Sequence, residues 1–335
     1  MTRLQRQIFL LGLLLIGSVS ATYANIDPAM RKKLKEEASN TATLRNDCLP
    51  GSSRFDQQIN NVRAALLSSG DVWWDLNDGV YIVPKVLPGT GAKPVSSIFT
   101  GGVWLGGYDE FKNLKLAATL YRSGTKTDFW PGPLTANGTT NKATCDQWDK
   151  HFTVYRQDIE TLRKLWSDAL IAANNDPSRA IIPEGLIPEK IKGWPASGNR
   201  FFFEINRFKL PTTSQGYGRF RDVNGNGIFE PDRGDFPTID VRGCQDKDVY
   251  PDEMIYWIYN DNGNAHTISL RSVPIQMEVQ VQAFAYQTND ELNDMTFQRY
   301  KLINRAKNDI DSMYFAMFVD ADLGCYTDEI GRAHV

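Results

Sequence analysis

The chain changes its hydrophobic rhythm several times, and each rhythm predicts a different kind of element. Gln276 to Tyr286 alternates polar and apolar residues throughout. That period of two predicts a half-buried antiparallel strand with Val279, Val281, Ala283 and Ala285 on one face. Thr296 to Asn304 and Ser312 to Val319 have the same character and are expected to pair beside it, with Lys307-Asn308-Asp309 as a hairpin turn. Further back, Val72-Trp73-Trp74, Gly79 to Pro84, Ser97-Ile98-Phe99, Gly102 to Gly106 and Leu114 to Ala118 are short β-type runs. Turn residues at Asn77-Asp78-Gly79, Pro88-Gly89, Gly106-Gly107 and Lys112-Asn113 separate them, which predicts a meander of a sandwich or barrel.

Helical spacing occurs in two places. Phe152 to Asn174 is expected to form the one substantial helix, with Ile159, Leu162, Trp166, Leu170 and Ile171 on a face and Asn174-Asn175 at its end. Phe55, Ile59, Val62 and Leu66 predict a short helix ending at Ser69-Gly70. Pro28 to Asn46 is charged and helix-permissive, and Pro183 to Pro195 is a Pro-rich loop. No period of 20 to 50 residues repeats, so a solenoid or propeller is not expected. The predicted fold is mainly β, an antiparallel β-sandwich-like architecture with a minor inserted helical segment. Its expected divisions are a helical leader at 25–70, a β meander at 71–145, a helical insert and Pro-rich loop at 146–195, and a β-sandwich region at 196–328.

The N-terminus has a different pattern. Arg3 and Arg6 precede the apolar stretch from Ile8 to Ile16, and Val19-Ser20-Ala21 and Thr22-Tyr23-Ala24 each place small residues for a signal peptidase. This three-part pattern predicts a cleaved signal peptide at 1–24. The apolar run is about half the ~20 residues that span a bilayer, so a membrane anchor is the poorer reading. No later segment is apolar enough to span, and no transmembrane span is expected in the mature chain. At the other end, 330–335 can be encoded by ATC GGA AGA GCA CAC GTC, the run of a common sequencing adapter. Residues 329–335 are therefore read as foreign sequence, and the natural chain is expected to continue.

Net charge is −3, with acidic and basic residues mixed along the chain. Nucleic acid and anionic membranes both select clustered Lys and Arg, so neither is an expected partner. The aromatic share of 11 %, including eight Trp, suits a rigid β protein rather than a disordered one. Cys48, Cys145, Cys244 and Cys325 are far apart and lack metal-type spacing. They allow three disulfide pairings that sequence cannot rank, and buried free thiols are an equal alternative.

The strongest local motif is Asp222-Val223-Asn224-Gly225-Asn226-Gly227-Ile228-Phe229-Glu230. Side-chain oxygens at positions 1, 3 and 5, Gly at 6, a backbone carbonyl at 7 (Ile228) and a carboxylate at 9 match the needs of a hard Ca²⁺ ion. Position 12 is Arg233 where a regulatory EF-hand has Glu, so a structural Ca²⁺ loop is expected, with Asp232 or Asp235 closing the shell. Asp320 and Asp322, with Asp328, form a second cluster of hard oxygen ligands. Asp290, Glu291 and Asp294 read as a solvated acidic loop.

No catalytic residues are assigned. His151 and His266 lack zinc-binding neighbours at helical spacing, and the chain has no G-x-S-x-G elbow and no P-loop. Trp73, Trp74, Trp104 and Trp130 suit either sugar stacking or the core, and core is the ordinary role of large apolar groups. Asn137-Gly138-Thr139 fits an N-glycosylation sequon, and Asp311-Ser312-Met313 fits an Asp-Ser/Thr-apolar O-glycosylation pattern.

A resemblance runs along most of the chain after about residue 47. It is carried by Asn60 to Ala64, Gly70 to Leu76, Gly102 to Gly107, Asp128 to Pro133 and Trp194-Pro195-Ala196. Asp222 to Glu230 with Gly234 to Pro237, Gln282 to Tyr286 and Val319 to Gly324 extend it. These segments resemble the N-terminal part of large secreted Bacteroidota surface proteins carried by type IX secretion. The resemblance implies export to the periplasm, then passage through the outer-membrane secretion machinery directed by a downstream sorting domain. The expected function is a secreted or cell-surface protein of adhesion or structural type, partnered by surface glycans or other surface proteins. The alternative is a carbohydrate-binding module or a carbohydrate-active enzyme portion of a larger secreted protein.

Overall fold

The computed structural model describes residues 47–322, apart from 87, 88, 90, 123, 215, 240–249, 270 and 271. The signal peptide, the Pro28 to Asn46 segment, Cys244, Cys325, Asp328 and residues 329–335 lie outside the described residues.

The chain first forms a hairpin of β1 (Arg54–Gln57) and β2 (Arg63–Leu67), with Phe55 opposite Leu66. This corrects the helix expected there. The apparent helical spacing of Phe55, Ile59, Val62 and Leu66 spans the hairpin bend, where the Asn60 side chain accepts the Val62 N–H. A two-residue strand, β3 (Tyr81–Ile82), pairs with β2. The runs expected at 97–99 and 102–106 are one strand, β4 (Ile98–Tyr108), paired with β5 (Leu114–Ala118). Val72 bridges Leu66 and Gly101, joining the hairpin to β4.

After the short β6 (Trp130–Pro131) the chain leaves the sheets to build a helical layer. It contains α1 (Lys142–Trp148), α2 (Arg156–Ala172), α3 (Glu189–Lys192) and α4 (Phe202–Asn206). The expected helix begins four residues late, because Phe152–Tyr155 is a strand, β7, paired with Met254 and its neighbours. Phe152 and Val154 are buried in alternation, and the Asp158 carboxylate then accepts the Tyr155 N–H to start α2. Asn174 and Asn175 take left-handed backbone at its end. Ile159 and Leu162 are buried as expected, whereas Ile171 is exposed. A small ladder of β8 (Phe220–Arg221) and β9 (Phe236–Pro237) brackets the acidic loop.

The centre of the structure is β10 (Glu253–Asn260), paired along its length with β11 (Met277–Ala285), and β12 (Phe297–Asn304) lies beyond β11. β10 is a continuous apolar and aromatic run, the pattern of a strand buried on both faces. Sequence reading passed over it because it lacks alternation. β11 is where expected, with Val279, Val281 and Ala283 in one core, yet every one of its residues is buried. Its polar face is covered by the helical layer, which corrects the half-buried expectation.

The last strand, β13 (Asp311–Ala321), pairs with β4 and not with β12. The residues around Lys307-Asn308-Asp309 therefore carry the chain from one sheet to the other and form no hairpin. Two antiparallel sheets, β12-β11-β10-β6 and β13-β4-β5, thus enclose a core of Val103, Leu105, Trp257, Val279 and Val281. A second core lies between the opposite face of β10 and the helical layer, built on Trp148, Trp194, Phe202, Phe229, Tyr256 and Ile258. Cys48 and Cys145 form a disulfide that ties the start of the described chain to α1. Among the described residues, no helix is long and apolar enough to cross a membrane.

Candidate functional site

The acidic loop is a tight coil closed on its own side chains. The Asp222 carboxylate accepts the N–H groups of Gly225 (2.7 Å), Asn226 (3.3 Å) and Gly227 (2.6 Å). Gly225 and Gly227 have φ of 75° and 76°, the left-handed backbone that such a coil needs. The Asn224 and Asn226 amides both donate to Glu230 Oε2, at 3.1 and 2.6 Å. Asp235 accepts the N–H groups of Val223 and Glu230, which closes the loop at its base. Phe229 is buried in the helical-layer core and anchors the coil.

Burial, reinforced by the charges of Asp222 and Glu230, pushes the Asp235 carboxyl up to about 6. A carboxyl whose ionisation is opposed by two neighbouring carboxylates suits a nearby cation. The loop carries carboxylates, amide oxygens and the Ile228 carbonyl, which are hard oxygen groups of the kind Ca²⁺ takes. Among the described residues, no three His, Cys, Asp or Glu side chains converge on a common metal position. A cation here would therefore draw on the amide and carbonyl oxygens as much as on carboxylates. The second expected cluster is seen only in part. Asp320 accepts the Tyr121 hydroxyl (2.6 Å), the Asp322 N–H donates to Ser97, and Asp328 lies outside the described residues.

The two histidines among the described residues, His151 and His266, are built into the frame. Burial drives the His151 pKa down to about 3, and its ring packs near Phe55 and Trp257. His266 is buried between Asp128 and Asp261. One of its ring nitrogens lies 2.9 Å from the Leu116 carbonyl and the other 2.6 Å from that of Asp261. Both nitrogens are thus engaged by the frame.

The four tryptophans divide. Trp74 and Trp130 are core, Trp73 is half-buried against Tyr81, and Trp104 is 39 % exposed. Trp104 stands on the outer face of the β13-β4-β5 sheet, parallel to Phe318 with ring centres 5.5 Å apart. Its indole N–H is held by the Thr119 carbonyl at 2.6 Å, which fixes the ring. Tyr121, 52 % exposed, packs edge-on against Phe318 and places its hydroxyl on Asp320. The result is a rigid aromatic face with a carboxylate at its rim. Sequence reading named Trp104 but missed Tyr121 and Phe318, since no local pattern links residues from three separate segments.

A cleft of about 310 Å³ opens between the polar face of β11 and the helical layer. Among the described residues no carboxylate lines it, so a two-carboxylate hydrolytic arrangement is not found there. No family model, no curated protein and no solved structure matches this chain.

Proposed function

We propose that this is an exported cell-surface or secreted protein of adhesion or structural type that contacts surface glycans through its outer aromatic face. The observation that carries the reading is Trp104, held rigid by Thr119 and left open beside Phe318 and Tyr121. Exposed aromatic groups are costly in water and mark contact surfaces when they gather. The apolar C–H face of a sugar ring matches a fixed aromatic plane, and Asp320 at the rim offers an acceptor to sugar hydroxyls. Export by the signal at 1–24 and passage through the type IX machinery belong to the same proposal. They rest on the N-terminal pattern and on the resemblance to secreted Bacteroidota proteins.

The test is electrophoresis of the chain through gels containing soluble polysaccharides. Retardation by at least one polysaccharide, weakened about tenfold in Trp104→Ala and in Tyr121→Ala, is the expected result. Equal retardation of wild type and both variants would remove the aromatic face from the reading.

The loop from Asp222 to Asp235 is proposed as a structural Ca²⁺ site. Asp222, Asn224, Asn226, the Ile228 carbonyl, Glu230 and Asp235 would hold the ion and order the coil around it. A second mode of contact is favoured by β13, which among the described residues has a hydrogen-bonded strand on one side only. Tyr314, at 74 % exposure, Phe315 and Val319 project from it, so a strand of another surface protein would extend the sheet at this edge. Phe315→Lys should abolish such protein contact without altering migration in polysaccharide gels.

A further inference from the structure

The face of the central sheet under the helical layer is not sealed along its whole length. The cleft that opens there, of about 310 Å³, lies at the lower end of the volumes that hold small ligands. Tyr256 of β10 lies opposite Gln282 of β11, and Gln280 stands two residues before Gln282 on the same strand. Residues opposite in an antiparallel pair share a face, as do residues two apart along a strand. The three side chains therefore form one polar floor, and all three line the cleft.

This floor is buried, yet its hydrogen-bonding capacity is only partly used. Tyr256, Gln280 and Gln282 are 3 %, 3 % and 5 % exposed. The Gln280 amide donates to the Gly216 carbonyl at 3.0 Å and to Glu278 at 2.8 Å. The Gln282 amide donates to the Thr238 carbonyl at 2.9 Å. These bonds engage the N–H groups of both amides, and the amide carbonyl oxygens take no part in them. The Tyr256 hydroxyl has no hydrogen-bond partner among the described residues. Burial raises its pKa well above the ordinary value, so it stays protonated. An unpaired buried hydroxyl costs stability, and such a group calls for an explanation.

The facing wall is the segment that carries Tyr217 and Phe220. It is fixed in place by buried contacts. The Trp194 indole N–H donates to the Arg219 carbonyl at 3.1 Å. A Cβ on Gly218 would lie 2.6 Å from that indole nitrogen, so the wall rests directly on the ring. Phe220 packs edge-on against the buried Phe229, with ring centres 5.2 Å apart. Arg219, Arg299 and Lys301 also reach the lining, but each is already engaged within the protein. Their charges therefore select no ligand.

What the floor lacks is hydroxyl chemistry. An amide oxygen takes a donor, and a protonated phenol takes an acceptor. Neighbouring hydroxyl groups on one small molecule supply both without bringing a charge into a buried site. We propose that this cleft binds a neutral polyhydroxylated ligand of monosaccharide size. Its hydroxyls pair with Tyr256 and with the Gln280 and Gln282 carbonyl oxygens, and its ring lies against Phe220. The site is separate from the aromatic face around Trp104, and its test does not depend on that reading.

Calorimetric titration of the full chain with glucose, galactose, mannose and xylose, set against glycerol and inorganic phosphate, tests the proposal. At least one of the sugars should bind about tenfold or more tighter than glycerol and phosphate. Its affinity should change by less than about twofold between low and high salt, because no charge is neutralised on binding. Tyr256→Phe should weaken that binding about fivefold to tenfold while leaving the thermal midpoint unchanged or higher, because it removes an unpaired hydroxyl. Gln282→Leu should weaken it about fivefold, through loss of an acceptor. Trp104→Ala should leave it unchanged. Absence of binding by every sugar, tighter binding of phosphate, or a steep fall in affinity with salt would each overturn the assignment. So would full affinity in Tyr256→Phe or lost binding in Trp104→Ala.

Discussion

The two faces of the central sheet are both buried, but by opposite chemistry. Toward the second sheet, β10 and β11 present Ile255, Trp257, Tyr259, Val279, Val281 and Ala283. Toward the helical layer they present Met254, Tyr256 and Ile258 beside Glu278, Gln280 and Gln282. Apolar burial is non-directional, so another sheet closes the first face well. Each buried polar group on the second face needs a specific partner. The Gly216 and Thr238 carbonyls and the Leu134 N–H supply them. A fully paired sheet has few spare backbone groups to offer, whereas irregular chain has many. The comparison teaches that a polar row can be buried if its cover is a loop-rich layer, and that such a cover leaves clefts.

The largest test contrasts the two faces directly. Trp257→Ala should cost about 3–5 kcal/mol in urea unfolding, because it opens a cavity in the sheet–sheet core. Gln282→Leu should cost about 1 kcal/mol, since it forfeits one hydrogen bond but keeps its bulk. Similar losses in the two variants would erase the distinction drawn between the faces.

Next comes the tie at the start of the helical layer. The Cys48–Cys145 bridge spans a sequence separation of 97, so its removal frees a long loop in the unfolded chain. The Cys48→Ser/Cys145→Ser double variant should lose about 2–4 kcal/mol, read as a lower thermal midpoint that matches reduced wild type. A midpoint equal to that of the oxidised protein would show that the layer does not depend on the tie.

A smaller effect is set by pH at the first residue of β10. Burial raises the Glu253 carboxyl to about 7, against the easing effects of Tyr155 and Lys190. Between about 4.5 and 7 the folded chain therefore binds a proton that the unfolded chain releases. Stability should be greatest below that window, fall as pH rises through it and level off above 7, by at most about 3 kcal/mol. Glu253→Gln should flatten that part of the profile, and an unchanged slope would place its origin elsewhere.

The smallest effect concerns the acidic loop of the helical layer. Ca²⁺ at ten times its dissociation constant should add about 1.4 kcal/mol to folded-state stability. Asp222→Ala should remove the gain and leave the β strands formed. Equal midpoints in chelator and in excess Ca²⁺ would reduce the loop to an Asn-Gly turn held by its own hydrogen bonds.

Much of this was legible in the sequence, and the misses have physical causes. The alternation of β11 was visible, and so were the helix around Ile159 and Leu162, the Asn174-Asn175 stop and the Asp222 coil, because each is written in near neighbours. The β1–β2 hairpin was misread because apolar residues on either side of a bend imitate a helical face. β10 was missed because a strand buried on both faces has no period to detect. Trp104 was flagged, but whether it faced core or solvent depended on strands far away in sequence.

By itself, then, the sequence determined the mainly β character, the antiparallel strands of the last third, one inserted helix and a loop rich in hard oxygen ligands. Local alternation fixes which way a side chain points. It does not fix what covers that side, because strand partners and covering layers are chosen by contacts between distant segments. Tertiary structure alone decided that β13 crosses to β4 and that the polar row of β11 is roofed by irregular chain. It also decided that Tyr256, Gln282 and Arg299 share one cross-strand row on the covered face and that Trp104 stands in the open beside Phe318.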